Sequence, residues 1–86
     1  MVTQRASQSF CELLEKGAKD LREEIGRNER NIERLREEIA ELKRQPDPDL
    51  RAIEALLQMK ASLEVKLAVD ERSLQSTEDA ITENCP

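Results

Sequence analysis

Between residues 11 and 42, seam side chains return at alternating steps of three and four, and nothing else in the chain restricts its fold as tightly. The run is Cys11, Leu14, Ala18, Leu21, Ile25, Asn28, Ile32, Leu35, Ile39 and Leu42, with Asn28 its one polar member. On a helix these positions form a single stripe, which must be buried against another helix. The same step recurs downstream as Ile53, Leu56, Lys60, Leu63, Leu67, Asp70, Leu74, Thr77, Ile81 and Asn84. Between the two stripes stands Gln45-Pro46-Asp47-Pro48-Asp49. Proline disfavours helical geometry in the residue before it, so the first helix must stop by about Gln45. Asp47 reads as the next N-cap and Pro48 as the first helical residue, where a missing N–H costs nothing.

The pattern predicts an all-α fold, an antiparallel two-helix hairpin of the coiled-coil type that dimerises into a four-helix bundle. Its parts are a flexible lead-in over 1–8 and a hairpin over 9–86, with helices at about 9–45 and 48–83 and a turn at 46–47. Ser9 followed by Glu12 fits a capping box at the start of the first helix, with Thr3 and Ser7 as earlier possible starts. Gly17 and Gly26 lie inside that helix, where each costs roughly 1 kcal/mol relative to Ala. They read as weak spots or as points of close backbone approach.

Folding back at the prolines sets Leu42 against Ile53, Ile39 against Leu56, Ile32 against Leu63, Leu21 against Leu74 and Leu14 against Ile81. One register therefore serves the whole length. It also brings Cys11 beside Asn84 and Cys85 at the open end, which makes these two cysteines a candidate disulfide. The polar residues Asn28, Lys60 and Asp70 interrupt the seam. Asn28 and Asp70 fall about one turn apart across it and suit a hydrogen-bonded pair that fixes register, while Lys60 can carry its ammonium outward over Leu35.

Composition narrows the function classes. Charged residues make up 38% of the chain and the net charge is −5. No Lys/Arg cluster stands clear of carboxylates, so the basic footprint that nucleic-acid binding requires is missing. No apolar run approaches the ~20 residues of a membrane span. Residues 1–5 lack the apolar core of an export signal, so the protein stays in the cytosol, leaves by another route or is part of a longer one. Reduced cysteines would place it in the cytoplasm and a Cys11–Cys85 bond outside it.

With no histidine in the chain, di-iron carboxylate motifs and a His-based acid or base are excluded. Carboxylate pairs such as Glu23/Glu24 and Glu37/Glu38 point to different sides of a helix and read as solvated faces. We expect no catalytic residues, no metal and no cofactor. In shape and length the predicted hairpin is similar to the small exported helical-hairpin proteins of Gram-positive bacteria. Their turn is Trp-x-Gly, whereas this one is Pro-Asp-Pro and the chain has no Trp.

The second helix carries more apolar surface than one partner can cover. Beside its seam runs a lane containing Ala52, Ala55, Met59, Ser62 and Val69, with Leu57 and Val65 on the other flank. The matching lane of the first helix, from Gly17 to Glu41, is nearly all polar. Such a surface marks a contact site. The partner it implies is a second copy of the chain, paired through the second helix, or another helical protein. An exported, disulfide-clamped hairpin acting as a binding protein or effector is the alternative.

Overall fold

A computed structural model describes residues 7–86 as two long helices, α1 (Gln8–Lys43) and α2 (Leu50–Asn84), packed antiparallel. The predicted lead-in over 1–8 falls mostly outside the described residues, and its last residue, Gln8, is already helical. At 1.5 Å per residue each helix is about 50 Å long, so the hairpin is a rod one helix pair thick.

Both helix starts differ from the sequence reading. The cap of α1 is Ser7 rather than Ser9, because the Ser7 hydroxyl already accepts the Phe10 N–H at 3.2 Å. Glu12, expected to complete a box with Ser9, instead accepts a hydrogen bond from the Gln8 side chain at 3.5 Å. The cap of α2 is Asp49 rather than Asp47, its carboxylate accepting the Ala52 N–H at 3.1 Å. The choice is local: Pro46 and Pro48 disfavour helical geometry at Gln45 and Asp47, and it is the Asp49 carboxylate that reaches a helical N–H. Residues 44–49 bridge the two helices once α2 starts at Leu50.

The seam of α1 supplies most of the core. Cys11, Ala18, Ile32, Leu35 and Ile39 are buried, and Ile53 joins them from α2. The seam leucines of α2, Leu56, Leu63, Leu67 and Leu74, are only half-buried. Leu14, Leu21, Ile25 and Leu42 of α1 are half-buried too, because a single facing helix covers only part of a seam side chain. A Cβ at Gly17 would meet nothing within 4 Å. At Gly26 its only close neighbour is the end of the flexible Arg30 side chain, 3.3 Å away. Neither glycine admits a partner backbone, and both act as helix weak spots.

Candidate functional site

Three features stand on this rod: a clamp at the open end, a polar pair in the middle of the seam and an apolar surface on α2. The clamp is a disulfide between Cys11 and Cys85, 74 residues apart in sequence, with their Cα atoms 5.9 Å apart. Cys11 is buried as the last seam layer of α1, and Cys85 caps the C-terminus of α2. A shallow cleft of about 370 Å³ lies over the bond, edged by Glu12 and Glu15.

In mid-seam the Asn28 amide donates to the Asp70 carboxylate at 3.1 Å, and both residues are buried. Every fully buried side-chain nitrogen and oxygen among the described residues has a partner. Lys60, the third polar seam residue, keeps its stem largely covered and carries its ammonium out to Glu64 at 3.2 Å.

Two ion pairs that the sequence reading did not foresee tie the helices together on opposite sides of the seam. Arg22 meets Glu78 at 3.0 Å, and Lys66 meets Glu24 at 2.7 Å. The Lys66 ammonium holds the Glu24 carboxyl below its usual range, and Glu24 in turn holds that ammonium above the usual lysine range. Both groups are open to water, so the pair contributes little to stability. The signal for these pairs was present: each residue flanks a seam position, where antiparallel neighbours exchange charge.

The predicted second interface lies on α2 as follows. Leu57 is 44% exposed, Met59 54%, Val65 66% and Val69 45%. Ala55 and Ser62 are exposed beside them, and Ala52 is half-buried. Met59 also lines a groove between the helices with Leu56, Leu63 and Leu35. Leu50, at the first turn of α2, is 74% exposed. The sequence reading missed one apolar pair, Phe10 and Leu13, both exposed at the start of α1. They extend the α1 lane beyond Gly17 by two helical turns, and following that lane toward the N-terminus would have found them. Among the described residues no group of three or more Cys, Asp or Glu is placed to hold a metal ion. No helix among the described residues is long and apolar enough to cross a membrane. Compared with known proteins, the chain matches no family model, no curated protein and no solved structure.

Proposed function

We propose that the protein is a non-enzymatic interaction and oligomerisation module, a clamped hairpin that offers α2 to another helix and first of all to a second copy of itself. The observation that carries this reading is the exposure of Leu57, Met59, Val65 and Val69 along one helix. Leu57 and Met59 project about 160° apart on the helix, so one partner helix covers at most three of the four, each contributing ~1.5–3 kcal/mol. Doubled by two-fold symmetry, the gain is comparable with the 4–15 kcal/mol that association costs. Dimerisation at micromolar concentration, which needs a surplus of about 8 kcal/mol, lies within that range and is the expected outcome. A pair of helices also encloses no deep, water-shielded cleft, which favours binding over catalysis.

Light scattering across a concentration series tests the reading. The wild type should pass from monomer to dimer. The variant Met59→Glu with Val69→Glu should remain monomeric with its helical circular dichroism intact, because both side chains already face water in the single chain. A wild type that is monomeric at every concentration would assign the surface to a different helical partner and contradict self-association.

The Cys11–Cys85 bond supports a second reading, in which the hairpin acts outside the cytosol as a binding protein or effector. Disulfides persist in oxidising compartments and are rare in the cytosol. Alkylation of intact cells before lysis separates the two. Blocked thiols would place the chain among reduced proteins, and a protected bond would place it outside them.

A further inference from the structure

The side of α2 turned away from α1 has a two-fold pattern of its own. Arg51, Gln58, Val65, Arg72 and Asp79 recur every seven residues along it, and all five are exposed. Val65 is the centre of this stripe: Gln58 and Arg72 lie equally far on either side, and so do Arg51 and Asp79. Around Val65 the surface is apolar and small, formed by Ala61, Ser62, Ala68 and Val69. We infer that two copies of the chain pair antiparallel along this side of α2, with the two-fold axis at Val65. The inference rests on the reading of α2 as a docking helix and names its partner, its register and its charges.

In this arrangement Val65 meets its own copy, Val69 packs on the partner's Ala61, and Ser62 lies against the partner's Ala68. Arg51 comes level with the partner's Asp79, about 21 Å from the axis on each side. Arg72 lies within about one turn of the partner's Glu54, inside the reach of an arginine. Other registers lose this match. A shift of one heptad toward the N-terminus sets Arg51 against Arg72, and a shift the other way sets Arg72 against Val65. Parallel pairing places each of these charges against its own copy. The first shift and the parallel pairing bring like charges face to face, and the other shift leaves Arg72 on Val65 with no opposite charge, so the alternatives are disfavoured more strongly than the matched pairs stabilise the right one.

A second observation is independent of this symmetry. Among the described residues, Arg51, Glu54, Arg72 and Asp79 take part in no ion pair within the chain, and the Asp79 carboxylate accepts only the neutral Gln75 amide, at 2.9 Å. Arg51 sits in the first turn of α2, where the helix dipole disfavours a cation; the Asp49 cap supplies the negative charge that end prefers, and the last turn carries no basic residue. A charge held against the preference of its own helix suits a role in contact with something else. The product is an extended array, α1 and α2 of one copy followed by α2 and α1 of the other, rather than a square bundle.

Sedimentation equilibrium at low salt tests the register through a charge exchange. Arg51→Asp sets carboxylate against carboxylate at both ends of the contact, and Asp79→Arg sets cation against cation. Each single variant should raise the dimer dissociation constant about tenfold, from several modest ionic terms acting together. The double variant Arg51→Asp/Asp79→Arg restores opposite charges and should return the constant to within about threefold of wild type. Both sites are exposed, and the exchanged charges suit the α2 dipole, so helicity and monomer melting should hold in all three. Recovery in the double variant establishes the register. A wild type that dimerises while the double variant stays as weak as the singles, or while the singles lose nothing, overturns it and leaves α2 a docking helix. A wild type that never dimerises overturns the register together with the self-association behind it.

Discussion

Reduction of the Cys11–Cys85 bond should lower the melting temperature of the hairpin by about 10–30 °C while leaving its helicity near 5 °C almost unchanged. The bond closes nearly the whole chain into one ring, with 74 residues separating its ends. A ring of that size removes enough unfolded-state freedom to stabilise the fold by up to ~4.5 kcal/mol. The native state also depends on it. Beyond Cys11 the next seam layer is Leu14 with Ile81, both only half-buried, and without the clamp that end has little to oppose fraying. Amide exchange should therefore accelerate first at the open end, while the amides nearest the turn, beside buried Ile39 and Ile53, keep their protection. Cys11→Ser and Cys85→Ser should each reproduce the effect, and differential scanning calorimetry with and without reductant measures it. A midpoint that moves by less than about 3 °C would mean that the seam alone holds the ends together.

The second large effect belongs to the buried pair in mid-seam. Asn28→Leu should destabilise the hairpin by about 3 kcal/mol, because the Asp70 carboxylate loses its seam partner while staying buried. Asp70→Leu leaves a buried amide instead of a buried charge and should cost less, about 1–3 kcal/mol. Replacing both with Leu removes the desolvation cost along with the bond, so the double variant should lie close to wild type or above it. Urea titrations of the four proteins complete the cycle, and the expected coupling is well above 1 kcal/mol. Simple additivity would show that the two residues do not act through each other. The double variant should also lose discrimination between registers, visible as extra sets of amide resonances, since a continuous apolar seam no longer distinguishes one heptad shift from another.

How much of this was legible in the sequence depended on which force did the specifying. The hairpin, its register, the nearness of Cys11 to Cys85 and the pairing of Asn28 with Asp70 all follow from one period repeated over about nine turns of each helix. Turning either helix by one residue, about 100°, would take the seam off its partner, and the short Pro-containing connection sets which layers meet, so pattern and turn together determine the geometry. The caps are decided locally among near-equivalent candidates. Ser7 and Ser9 both resemble caps, as do Asp47 and Asp49, and a hydrogen bond worth about 1 kcal/mol chooses between them. The turn is longer than the spacing predicts because the same choice of cap, Asp49 over Asp47, sets where it ends. Phe10 and Leu13 escaped notice because two residues are too few to register as a stripe. The charges on α2 were each visible, yet their match to a second copy appears only once the outward side of the helix is known.

The central claim, that α2 is an interface and that its partner is a second copy, is tested most directly by following backbone amide shifts of the oxidised protein from micromolar to millimolar concentration. Shifts should move with concentration along residues 51–79 of α2, most strongly around Val65, while the outer face of α1 from Asp20 to Glu41 stays fixed. Shifts that do not move anywhere over that range, or that move on α1 instead, would contradict it.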